Sequence, residues 1–151
     1  MPLIRWPARR DLAANKAAAL ASFRLIERAD PALADEIIDR AFINREAEDD
    51  DDTARLLPGP AGFVATARWL NEAFSDLRFE PQETAAEADV VMVAALMRGR
   101  HTGFFQGIAP SGRDFAQKQV HVFHLRSRRI TEHRAVRDDL GLLLQLGWRP
   151  G

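Results

Sequence analysis

Apolar residues in the first half of the chain recur every three to four positions. From Asp11 to about Arg28, the residues Ala13, Ala17, Leu20, Phe23 and Leu25 predict a helix with one buried stripe, and Asp11 suits its cap. Asp30-Pro31 predicts a second helix, because proline fits the first helical turn; Leu33, Ile37 and Ile38 then face inward, followed by Phe42 and Ile43. Gly59-Pro60 opens a third helix reaching about Phe74, with Phe63, Ala67, Leu70 and Phe74 on one face. After Asp76 the period shortens to two. Leu77 to Thr84 reads as a strand that Pro81 confines to an edge or a bulge. Glu87-Ala88-Asp89 is a turn, Val90 to Arg100 a buried strand, and His101 to Gly112 a loop rich in Gly and Pro. Asp114 to Arg126 and Arg129 to Val136 are two more strands around a tight Ser127-Arg128 turn. Asp138 then caps a last helix, Leu140 to Leu146, which stops at Gly147.

Helices followed by a meander of antiparallel strands predict an α+β fold. A curved sheet of about four to six strands would wrap the helices and leave a pocket on its concave face. With 151 residues, one domain over 1–151 is expected, with a core from about 11 to 147 and residues 1–10 as a tail. The composition, 46% hydrophobic and 28% charged, is that of an ordinary globular domain able to build a core. A formal net charge of -1 gives no electrostatic reason to expect nucleic acid or an anionic membrane as partner. Cysteine is absent, which excludes disulfides, thiolate metal ligands and a cysteine nucleophile. The longest apolar run, Val90 to Met97, is too short to span a bilayer, and no signal-peptide pattern is visible, so a cytoplasmic protein is expected. The acidic run Glu46 to Asp52 reads as a solvated loop: its like charges repel, and no histidine or glycine turn organises them around a metal.

Strand alternation sorts the candidate chemistry. Gln117, Gln119, His121 and Phe123 share one face; Lys118, Val120, Val122 and His124 share the other. His121 and His124 therefore cannot bind one metal, despite their spacing. His121 either donates a hydrogen bond to a substrate oxygen or is a satisfied interior histidine. Asp138 either serves as a general base in a dry pocket or only caps its helix. His101 belongs to the loop structure or to the pocket rim. Glu132 shares a face with Arg134 and suits a salt bridge, leaving His133 on the opposite face. The chain lacks the nucleophile elbow, the dinucleotide fingerprint and the Walker loop.

Several motifs together resemble the SnoaL-like polyketide cyclase (ester cyclase) family over about Ala17 to Gly147. They are Gly59-Pro60-x-Gly62-Phe63, Phe74-x-Asp76-Leu77, the Arg98 to Arg113 loop with His101, Gly103, Gly107, Pro110 and Gly112, Arg129-Ile130-x-Glu132-His133, and Asp138-x-Leu140-Gly141-Leu142-Leu143-x-Gln145-Leu146-Gly147. The resemblance implies a cone-shaped α+β barrel of the nuclear transport factor 2-like fold, usually a homodimer. It implies cofactor-free and metal-free acid/base chemistry, an intramolecular aldol-type ring closure of a small hydrophobic carbonyl or polyketide-like ligand. It further implies Asp138 as the general acid/base, Gln119 and His121 as a polar pair, and Asn44 as a substrate contact. Arg45 stands where many relatives carry His, and Arg134 where a Trp is common; both are expected to touch substrate and to alter the pocket charge. Three other readings stay open. One is a non-catalytic module that uses Arg45 and Arg134 to hold an anionic ligand. Another is an isomerase or epoxide-hydrolase-like acid/base enzyme, and the third a domain whose interior is filled by side chains.

Overall fold

The computed structural model describes residues 9–42, 46 and 56–151. Among them the elements run α1 (Arg9–Arg28), α2 (Pro31–Ile37), α3 (Gly59–Ala73), β1 (Phe74–Glu87), β2 (Val90–His101), β3 (Asp114–Arg126), β4 (Arg129–Arg137) and α4 (Asp139–Leu146). The strands form one antiparallel sheet in the order β1-β2-β3-β4. The α+β architecture and the curved sheet expected from the periodicity are both present. Residues 1–8 of the expected tail, Ile43 and all of the acidic run except Glu46 lie outside the described residues, whereas Arg9 and Arg10 belong to α1.

Local chemistry sets the boundaries. The Asp30 carboxylate accepts the N–H groups of Ala32 and Leu33 at 3.0 and 3.3 Å, and Pro31 stands at the start of α2. α4 stops at Gly147, whose φ of 102° is left-handed. α3 passes into β1 without a loop: Phe74 takes extended backbone at φ -128°, ψ 126° and pairs with His101. β1 therefore begins three residues earlier than the alternation suggests, because a register shift between Ser75 and Arg78, with Asp76 at φ 52°, interrupts the period. A second shift lies between Pro81 and Glu83. Both bend β1 and help curl the sheet.

The concave face holds the core. Val91, Val93, Ala95 and Met97 of β2 and Phe115, Phe123 and Leu125 of β3 are buried there. α1 covers this face with Phe23 and Ile26. The Phe23 ring stacks on Phe79 at 5.0 Å and meets the edges of His121 and Phe123 at 5.0 and 6.1 Å. The loop after β2 is tied to the end of α3, where Ala73 O accepts the N–H groups of Thr102 and Gly103 at 3.1 and 2.9 Å. A Cβ on Gly103 would run into the Glu72 carbonyl oxygen. Gly103→Ala is expected to cost about 1–3 kcal/mol by forcing that backbone contact apart, which a urea titration would read. No helix among the described residues is long and apolar enough to cross a membrane.

Candidate functional site

A cavity of about 80 Å³ lies between the concave face of the sheet, α1, α3 and α4. Ile26, Phe63, Trp69, Leu70, Phe79 and Met97 supply much of its apolar lining. Gln106, Asp139 and Leu143 stand at its more exposed rim.

One wall is polar, and the alternation of β3 builds it. Gln117, Gln119 and His121 all point inward and are at most 5% exposed. His133 joins them from β4. It pairs with Phe123 in the register, so it sits diagonally across from His121. The two imidazoles stack at 5.2 Å with 15° between planes, and Phe123 packs on His133 at 4.9 Å. The side chains form one continuous chain of hydrogen bonds. His133 Nε2 lies 2.9 Å from His121 Nδ1, and His121 Nε2 lies 2.7 Å from Gln119 Oε1. Gln119 Nε2 donates to Gln117 Oε1 at 2.7 Å, and Gln117 Nε2 donates to Asp139 Oδ1 at 2.9 Å. Arg137 stands at the outer end, 3.6 Å from Asp139 and 3.7 Å from Glu46.

Burial sets the charge of the imidazoles. It pushes His121 down to about 4, with the Arg137 guanidinium adding to the effect. Burial also holds His133 well below the usual histidine range, helped by His121 and then by Arg137. Both rings are therefore neutral at pH 7, and each offers one N–H and one lone pair. His124 lies on the opposite face of β3.

The structure places the expected site residues unevenly. Gln119 and His121 stand in the cavity wall. Asp138 does not: it is exposed, and its carboxylate accepts the Gly141 N–H at 2.9 Å. A capping side chain must fold back over its own helix, so Asp138 faces the outer side of the sheet with Lys118, Val120 and Val136. The next residue, Asp139, reaches the cavity. Asp138→Ala is expected to cost about 1 kcal/mol, the loss of a cap, measured by denaturant unfolding, with the His121 and His133 NMR signals unmoved. His101 belongs to the loop structure, one of the two places expected for it, and not to the pocket rim. It is fully buried at the end of β2, its Nδ1 is 3.0 Å from Ser111 Oγ and 3.2 Å from Ser111 N, and its ring packs 5.9 Å from Phe74 rather than lining the cavity. Arg134 is exposed and paired with Glu132 at 2.7 Å, so it gives no cation to the cavity. Asn44 and Arg45 lie outside the described residues. Gln117, His133, Arg137 and Asp139 complete the wall without having been singled out as site residues. Gln117 was legible from its parity with Gln119, and His133 from its place opposite the exposed Glu132–Arg134 pair.

The SnoaL-like polyketide cyclase family profile matches residues 16–146, and the chain belongs to that family. It is similar to the aklanonic acid methyl ester cyclase AcmA of Streptomyces galilaeus, at 36% identity over 92 residues, 60% of this chain and 64% of that protein. The match therefore spans just under two thirds of that relative. The nogalonic acid methyl ester cyclase of Streptomyces nogalater is 32% identical over 101 residues, 61% of this chain and 75% of its own length. Among solved structures, TsrD from Streptomyces laurentii superposes with a TM-score of 0.77 at 23% identity, covering 93% of this chain and 98% of TsrD. A SnoaL-like polyketide cyclase from Agrobacterium tumefaciens strain C58 gives a TM-score of 0.70 at 16% identity, covering 88% and 98%. These two likenesses bear on the fold.

Proposed function

We propose that this protein closes a ring by intramolecular aldol addition within a small hydrophobic polyketide-like ester, without metal or organic cofactor. The observation that carries the reading is the stacked, neutral His121–His133 pair at the wall of an apolar cavity. In this reading the imidazole pair removes a proton from a carbon flanked by two carbonyls. The resulting carbanion attacks a second carbonyl of the same molecule. One C–C bond forms, the attacked oxygen becomes an alkoxide, and the imidazolium returns its proton to that oxygen. Substrate and product are isomers. The pair takes the acid/base role that the family resemblance implies for Asp138.

The environment fits such a substrate. Burial keeps the rings unprotonated at working pH but makes them weak bases, so they suit a carbon acid already activated by two carbonyls. The apolar lining excludes water and strengthens the wall's hydrogen bonds to developing negative charge. At about 80 Å³ the cavity is smaller than the roughly 300–1,000 Å³ of ordinary small-molecule sites, so binding requires the rim at Gln106, Asp139 and Leu143 to move apart. The names of the methyl ester cyclases that the chain resembles support an aromatic polyketide methyl ester as substrate. The family resemblance also supports a homodimer, and the cysteine-free composition a cytoplasmic setting.

The test is incubation with an aromatic polyketide methyl ester that carries an activated methylene. An isobaric product with a changed chromophore is expected, as is deuterium uptake at that methylene in heavy water. Neither product nor exchange at high enzyme concentration would overturn the reading.

A further inference from the structure

The geometry points to Asp139 as a positioning residue. We infer that its carboxylate sets the direction of the whole hydrogen-bond chain, and so decides which nitrogen of each buried histidine bears the proton. The inference rests on the cyclase reading only for its consequence in turnover.

An ionised carboxylate accepts hydrogen bonds and never donates them. Gln117 must therefore turn its amide N–H toward Asp139 Oδ1, 2.9 Å away. That leaves Gln117 Oε1 facing Gln119, whose Nε2 donates to it at 2.7 Å. The same Gln119 nitrogen lies 3.5 Å from Met97 Sδ, a weak acceptor, which suits an N–H there and not a carbonyl. Gln119 then presents Oε1 to His121 Nε2 at 2.7 Å, so that nitrogen carries the proton. A neutral imidazole has only one N–H, so His121 Nδ1 accepts, and His133 Nε2 donates to it across 2.9 Å. Every hydrogen in these four bonds points toward Asp139. The lone pair left over is Nδ1 of His133. The opposite order would press the Gln117 carbonyl against a carboxylate with no hydrogen between them.

Asp139 is thus four hydrogen bonds from the nitrogen it determines. Its side chain is 63% exposed in the first turn of α4, so substitution there leaves the apolar packing of the core in place.

The experiment is two-bond ¹H–¹⁵N correlation of the four histidines at pH 7 in the ¹⁵N-labelled wild-type protein, in Asp139→Asn and in Asp139→Glu. The wild type is expected to show His121 and His133 protonated at Nε2 only. An asparagine amide can present either its oxygen or its NH₂, so Asp139→Asn is expected to add a second set of signals with Nδ1–H on both rings. Asp139→Glu restores a carboxylate and is expected to restore the single tautomer. Nδ1–H on either ring of the wild type overturns the inference. So does an unchanged spectrum in Asp139→Asn, or mixed tautomers in Asp139→Glu as well. The readout needs no substrate. Tautomers as expected in a protein without turnover would sink the cyclase reading alone, and an active enzyme with the wrong tautomers would sink this inference alone.

Discussion

His133→Gln is expected to lower kcat/KM for ring closure by roughly 10²–10⁴-fold, the range lost when a positioned acid/base group is removed, while the protein stays folded. The substitution separates two jobs of one side chain. A glutamine Nε2 falls near the imidazole Nε2, so the donor to His121 Nδ1 survives and no buried acceptor is stranded. What disappears is the Nδ1 lone pair, the only basic site left on the imidazole pair once the other three nitrogens are assigned. The lost packing against Phe123 makes some destabilisation certain, so steady-state kinetics are read beside a urea titration that shows the variant folded at the assay temperature. Turnover within threefold of the parent would remove His133 from the chemistry.

Acid is expected to unfold the protein early. An unfolded chain protonates each histidine near pH 6.5, whereas folded His121 resists protonation until about pH 4 and folded His133 is also held well below 6.5. The unfolded state therefore binds more protons in this window, and stability falls as pH falls. For His121 the contribution is complete above pH 6.5 and is lost between 6.5 and about 4, at on the order of 1 kcal/mol per pH unit, and His133 acts in the same direction. For His121 alone that is about 3 kcal/mol by pH 4, a large share of the 5–15 kcal/mol typical of a folded domain. His101, also held down by burial against the opposing Gly103 backbone, acts in the same direction. Urea unfolding at pH 7.5, 6 and 5 measures the slope, and His133→Gln should reduce it by one histidine's share. Constant stability from pH 7.5 to 5 would mean that the imidazoles are hydrated and not sealed in the wall.

The order of elements was legible because each carries its own local signal. Asp30-Pro31 marks a capped start, Gly147 a left-handed stop, and the period-two run of β3 separates its two faces. That run also put Gln119 and His121 on one inward face without any long-range information. Asp138 and Asp139 were not separable in the same way. They are adjacent and chemically identical, and which one reaches the cavity depends on the cap geometry, φ -79° and ψ 69° at Asp138, that aims the helix start. His101 was left between the loop structure and the pocket rim for a related reason. No local pattern reports that the loop folds back and seals the ring against Phe74 and Ser111. Parity put His133 on the face opposite Glu132 and Arg134. Its partnership with His121 depends on the register across the β3–β4 hairpin, including the shift between His124 and Leu125, and no local pattern reports that shift.

The kinked first strand carries one more consequence. β1 is 14 residues long and forms the outer border of the sheet, where a straight ribbon would invite another chain to zip alongside and seed aggregates. Pro81 removes one donor from that border, two dislocations break its repeat, and Arg78, Glu80, Glu83 and Glu87 add charge along it. The irregularity that shapes the inner cup also guards the molecule against its own copies at high concentration.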